Sequence, residues 1–204
     1  MWQQRGFSLL EMAIAILALS LILASVVQFL RVQSESNALR ETDLQLQVIR
    51  EALLGFATIE ERLPCPAANE NGQEASNLCT QEGYLPWATL AIDGRDAWGS
   101  IFRYRIDKNF AATIPDNLET GDQLQIKKIT DSDSGLSTWT VTNSVVVAIF
   151  FSVGADKTAN SYNGDGNADR YAYDEYTDSF DDRLSWLSTH DLVGGMLRVG
   201  KWPL

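Results

Sequence analysis

The sequence predicts an α+β protein: a long amino-terminal helix, membrane-spanning in its first half, packed through its second half on an antiparallel β-sheet, with a long carboxy-terminal loop. Three observations carry that prediction. Residues 7–30 are apolar apart from Glu11 and a few uncharged polar side chains. Residues 31–63 repeat apolar positions at helical spacing with no proline among them. Beyond Pro64 the pattern changes to short β-branched and aromatic runs separated by turn residues.

As a helix, residues 7–30 would be about 36 Å long at 1.5 Å per residue, enough to cross a bilayer core of about 30 Å. Arg5 precedes the run, so the positive-inside rule leaves residues 1–6 in the cytoplasm and the remainder on the far side. The run is too long for an ordinary secretory signal, and no small-residue cleavage site follows it before Arg31. Glu11 lies inside it, and an intramembrane carboxylate costs about 2.5–3.5 kcal/mol on insertion scales. Such a charge needs a partner, and the nearby Arg5 lies on the same side of the membrane.

Val32, Leu39, Leu46 and Leu53 recur every seventh residue, with Ile49 and Phe56 adding the intermediate positions after Leu46 and Leu53. Glu35, Arg40, Glu41, Asp43 and Arg50 occupy the intervening positions, which makes this the amphipathic continuation of the same helix. Pro64 and Pro66 are expected to stop it. Residues 64–95 are rich in Asn, Gln, Glu, Gly and Pro and read as a long connecting loop. Strands are expected at 101–106, 123–129, 137–142 and 144–152, the last two joined near Asn143 by a hairpin or running on as one bulged strand. Residues 145–151 are apolar on both faces, which predicts a central strand under the helix.

The 204 residues carry 16 Lys and Arg against 27 Asp and Glu, a net charge of −11. That surface argues against nucleic acid, whose phosphates attract cationic side chains, and favours cations or simple solubility. Cys65 and Cys79 are the only cysteines. Paired in an oxidising compartment, they would close a loop of about fifteen residues and stabilise by about 3 kcal/mol.

The segment Gly6-Phe7-Ser8-Leu9-Leu10-Glu11-Met12 resembles the class III signal of type IV pilins and type II secretion pseudopilins. The resemblance implies a leader at 1–6, cleaved by prepilin peptidase between Gly6 and Phe7, and N-methylation of the new amino-terminal Phe7. It makes 7–30 a transmembrane and polymerisation helix, 31–63 its amphipathic continuation and 64–204 a β-rich periplasmic domain. Glu11 becomes the assembly residue, paired with the positive amino terminus of a neighbouring pilin or pseudopilin subunit. The chain would be held in the inner membrane as a single-pass protein and then drawn into a type II secretion pseudopilus or a type IV pilus.

Three later pieces are similar to the major pseudopilin: Asp96-Ala97-Trp98-Gly99, with alanine at the position of that family's proline; Ser152-Val153-Gly154-Ala155-Asp156; and Asp181-Asp182-Arg183-Leu184-Ser185-Trp186. The likeness implies calcium (Ca2+) held by Asp156, Asp181 and Asp182 with the Val153 carbonyl. Calcium takes six to eight oxygen ligands and would relieve the repulsion of clustered carboxylates. Between Asp156 and Asp181 stands a second set of oxygens, Asp165, Asn167 and Asp169. Its spacing follows the start of an EF-hand loop, but Arg170 stands where that loop needs glycine and Tyr176 where it needs glutamate. The alternative is that these Asn-Gly and Asp-Gly pairs make turns in a solvated loop.

Two other functions compete with a non-catalytic filament subunit. Tyr162, Tyr171, Tyr173, Tyr176 and Trp186 are suited either to packing around the loop or to adhesion at a pilus tip. Ser185, His190 and Asp191 are the residue types of a hydrolase in a membrane-anchored enzyme, but no G-x-S-x-G surrounds the serine, and His190 reads as a surface or helix-end residue.

Overall fold

The computed structural model describes residues 9–115, 124–128, 146–167, 169–177 and 179–202. Gly6 and Phe7, the strand expected at 137–142 and the turn expected at Asn143 lie outside them. Helix α1 runs without a break from Leu9 to Glu60. By contacts the chain divides into two compact units, Met1–Arg40 and Glu41–Leu204.

In the first unit, every side chain from Leu9 to Leu30 is exposed. The segment is long and apolar enough to cross a membrane. Its serines do not interrupt that surface. Ser20 Oγ donates to the Leu17 carbonyl at 2.9 Å and Ser25 Oγ to the Ile22 carbonyl at 2.8 Å. Each hydroxyl is thereby satisfied within its own helix.

In the second unit, α1 buries Thr42, Leu46, Ile49, Leu53 and Ala57, a single stripe at steps of three and four. Leu46, Ile49 and Leu53 lie where the heptad pattern puts them, whereas Phe56 is only half-buried, at the flank, its ring beneath the Arg62 guanidinium at 5.1 Å. The small Ala57 takes the buried position. The helix stops before the prolines: Glu61 turns into the left-handed region at φ 56°, and the Leu63 N–H donates to the Phe110 carbonyl at 2.7 Å.

The four-stranded antiparallel sheet has the order β1-β2-β4-β6, with β1 Gly83–Tyr84, β2 Arg103–Ile106, β4 Val146–Ser152 and β6 Arg183–Ser188. Every residue of β4 is buried. Its Val147, Ala148 and Phe150 pack with Leu46, Ile49 and Leu53 of α1. Its Val146, Ile149 and Phe151 pack with Leu124, Ile126 and Tyr171. An internal strand covered on both faces is what the uninterrupted apolar run requires.

The second face is covered by a two-stranded sheet that the sequence does not predict. Strand β3, Gln125–Lys128, pairs parallel with β5, Arg170–Tyr173, rather than joining the antiparallel sheet. The long loop between β4 and β6 therefore carries a strand of its own. Residues 64–95 are likewise more than a loop, since they hold β1 and the single helical turn α2, Trp87–Leu90. The disulfide Cys65–Cys79 ties this segment together. After β6 comes α3, Thr189–Arg198, opened by a capping box in which Ser188 and Asp191 exchange hydrogen bonds. Arg50 of α1 fastens this end, donating to the Trp186 carbonyl at 2.9 Å and pairing with Asp191 at 2.5 Å. The result is a long amino-terminal helix packed on a small sheet, consistent with a pilin-like architecture.

Candidate functional site

The three later sequence pieces, far apart in the chain, meet at one end of the sheet. The first makes the turn that leads into β2. Asp96 Oδ1 accepts from the backbone N–H groups of Trp98 at 3.0 Å and Ser100 at 2.8 Å, and Gly99 takes φ 83° between them. The other oxygen, Asp96 Oδ2, receives the hydroxyl of Ser152, the last residue of β4, at 2.5 Å. Both residues are buried. Ser152 Oγ also accepts from the Gly154 N–H at 3.0 Å, so one hydroxyl holds the turn before β2 and the turn after β4 together.

Gly154 then explains itself. It sits at φ 69°, and a Cβ there would lie 2.4 Å from the carboxyl carbon and Oδ2 of Asp181. Only glycine admits that carboxylate. Asp181 Oδ2 accepts from the Asp156 N–H at 2.9 Å, and the Asp181 N–H donates to Asn160 Oδ1 at 2.9 Å. Asp182 Oδ2 accepts from the Asn160 N–H and from Asn163 Nδ2, each at 2.8 Å. Asn163 in turn bonds both backbone groups of Ala172 on β5, at 2.8 and 3.0 Å. The acid pair is thus woven into the loop that crosses the sheet.

The weave satisfies only half of each carboxylate. Asp181 Oδ1 and Asp182 Oδ1 are both buried and neither meets a hydrogen-bond donor. Burial, above all, pushes the Asp182 carboxyl up to about 7. The negative charges of Asp181 and Asp156 add to the rise, and the hydrogen bonds from Asn160 and Asn163 oppose it. One buried oxygen on each of Asp181 and Asp182 is thus left without a donor, and Asp182 is the carboxyl that resists ionisation.

The remaining sites predicted from sequence are arranged differently. Asp156 lends its backbone N–H to Asp181 but turns its own Oδ1 to the Thr158 N–H at 2.7 Å. Asp165 Oδ1 accepts from the Asn167 N–H at 2.7 Å, and Asn167 Oδ1 accepts from the Asp169 N–H at 3.0 Å. Arg170 pairs with Asp165 at 3.0 Å and the buried Arg105 with Asp169 at 3.4 Å. Turns and two guanidinium groups therefore occupy the second set of oxygens. Among the described residues, no three His, Cys, Asp or Glu side chains gather closely enough to hold a metal ion. A cation at the acid pair would take Asp181 and Asp182 as its charged ligands and complete its shell from backbone or water oxygens.

Of the aromatic residues, Tyr171 is fully buried and meets Phe151 edge-on at 5.7 Å, while Tyr173 packs on Trp186 at 5.8 Å. Tyr162 lies under the Arg170 guanidinium at 5.5 Å. His190 is exposed in the first turn of α3, and Asp191 is engaged by Ser188 and Arg50. Sequence reasoning missed Asn160 and Asn163, which hold the acid pair in place. Their signal was slight: an Asn in a loop reads as a turn former.

Glu11 occupies the first turn of α1, exposed among exposed apolar side chains. Among the described residues, one helix near the amino terminus is able to cross a membrane, which is consistent with a single-pass membrane protein. No family model, no curated protein and no solved structure matches the chain.

Proposed function

We propose that the chain is a non-catalytic filament subunit, a pseudopilin or minor pilin, assembled through its amino-terminal helix after cleavage between Gly6 and Phe7. The observation that carries this reading is α1 itself. It is one unbroken helix whose apolar part is wholly exposed and holds a single charge, Glu11. A lone chain would have to bury that carboxylate in hydrocarbon at about 2.5–3.5 kcal/mol. In a bundle of such helices, the amino terminus of the next subunit supplies the missing cation, and the charge then sets the register between neighbours. The unit from Glu41 to Leu204 faces the periplasm.

The test is Glu11→Ala in cells that make the filament. The variant should still insert in the membrane and keep its disulfide, yet be absent from filaments sheared from the cell envelope. Incorporation at the level of the parent chain would refute the assembly role.

A second reading concerns calcium and is favoured by the two buried, donorless oxygens of Asp181 and Asp182. Calcium there would neutralise the pair and reinforce the closure of the loop between β4 and β6, whose start the pair already holds through Asp156 and Asn160. In detergent micelles, adding calcium to the chelator-treated full chain should raise its melting temperature by several degrees. An unchanged melting temperature would sink this reading and leave the filament reading intact.

A further inference from the structure

A cavity of about 820 Å³ opens beside the sheet, between β1, the turn before β2 and the loops that follow β4. That is within the range of about 300–1,000 Å³ common to small-molecule sites. Its apolar floor comes from Ile101 and Val153, and its charged groups are Glu70, Glu82, Arg95, Arg103 and Lys157. Three cations against two carboxylates leave the lining at +1, on a chain whose net charge is −11.

The carboxylates are already engaged. Glu82 accepts from Arg103 at 2.9 and 2.7 Å and from the Tyr171 hydroxyl at 3.0 Å, and Arg103 in addition stacks over the Tyr84 ring at 5.0 Å. Glu70 pairs with Arg95 at 3.4 Å, and Arg95 also donates to the Gly99 carbonyl at 2.7 Å. Lys157 lines the cavity at its exposed side, and among the described residues it has no hydrogen-bond or ion-pair partner. Its backbone stands at φ 61°, in the left-handed region that a side chain with a Cβ rarely adopts. A strained, non-glycine residue that carries an unpaired charge at the wall of a cavity is the kind of outlier from which a binding role is inferred.

Arg95 and Arg103 are each paired with a carboxylate, and Lys157 is the cation left over. Asn167 spends its side-chain oxygen on the Asp169 N–H, which leaves its amide nitrogen to donate, and Gln81 adds another amide at the wall. We propose that this cavity binds a small dicarboxylate. One carboxylate meets Lys157, on the loop after β4. The other meets Arg95, on the turn before β2, and the carbon chain lies over Ile101 and Val153. The acidic surface elsewhere on the chain repels anions, so the site acts at short range and its affinity falls as ionic strength rises. The proposal does not depend on the filament reading or on calcium.

Succinate is the probe, with succinamide as its uncharged counterpart, each titrated calorimetrically into the full chain in detergent micelles at fixed ionic strength. Succinate should bind saturably and succinamide should not. Lys157→Gln should weaken succinate at least tenfold, while Lys157→Arg should hold it within about threefold. Lys157→Gly provides a control for folding. It accepts the positive φ without strain and so should melt higher than the parent chain, yet it should lose the ligand. Absence of saturable binding to the parent chain, equal binding of succinamide, or undiminished binding by Lys157→Gln or Lys157→Gly would each overturn the proposal.

Discussion

Asp182 is a carboxylate that the fold holds against ionisation, and its pH dependence has a definite sign. The folded chain keeps its proton up to about pH 7, whereas the ordinary value is 3.8. Between those limits the unfolded chain has lost a proton that the folded chain retains. Stability is therefore complete below about pH 4 and declines as the pH rises to 7. The gap corresponds to at most about 4 kcal/mol. In chelator, Asp182→Asn should melt higher than the parent chain at pH 8 and match it at pH 4, and it should lose the response to calcium. Melting curves at the two pH values, with chelator and with calcium, check both halves of this expectation. Asp191 has the opposite sign. Burial pushes it up, but the hydrogen bonds from Ser188 and the charge of Arg50 outweigh burial and hold it below the usual range, so its contribution is lost on acidification. Asp96 has a structural role instead. Truncation to Ala leaves the Trp98 and Ser100 N–H groups and the Ser152 hydroxyl without their acceptor. A loss of about 3 kcal/mol or more is expected in chemical denaturation, since each abandoned buried donor costs about 1–3 kcal/mol.

Helix α1 carries two kinds of surface. Up to Leu30 it offers apolar side chains all round. From Thr42 it narrows to one buried stripe, with polar and charged residues filling most of the remaining faces. Leu53, fully buried at the centre of that stripe, is the position to test. Leu53→Ala should cost about 2–5 kcal/mol. Leu44→Ala, on the exposed side of the same helix, should change stability by less than about 0.5 kcal/mol. Equal effects in thermal melts would mean that the stripe does not carry the packing. Strand β4 shows the same logic in a sheet, because its seven buried residues divide between the α1 side and the β3–β5 side. Its apolar run was legible as a central strand. What lay on its second face was not, because a strand of four residues such as β5 carries too little periodicity to announce its partner.

At the scale of the whole molecule, the Glu11→Ala experiment separates an assembly helix from a mere anchor, since an anchor needs no charge at that depth. Much of this architecture was written locally. The apolar run, the heptad stripe and the proline pair mark out α1 because helix formation and membrane insertion depend on composition and spacing within a few turns. The Cys65–Cys79 bond was expected for a domain in an oxidising compartment, where two cysteines allow a single connectivity. Contacts with a single distant partner were beyond sequence reading. Ser152 reaches across 56 positions to Asp96, and the Asp156 N–H reaches across 25 to Asp181. No period or spacing encodes either bond. The sequence by itself determined a long apolar-to-amphipathic helix, a buried central strand and three conspicuous acidic or glycine-bearing pieces. Only the tertiary structure brought those pieces to one end of the sheet, turned Asp156 aside and left two carboxylate oxygens buried without donors. The physical reason is that burial and hydrogen-bond satisfaction belong to the packed chain, and no residue possesses them alone.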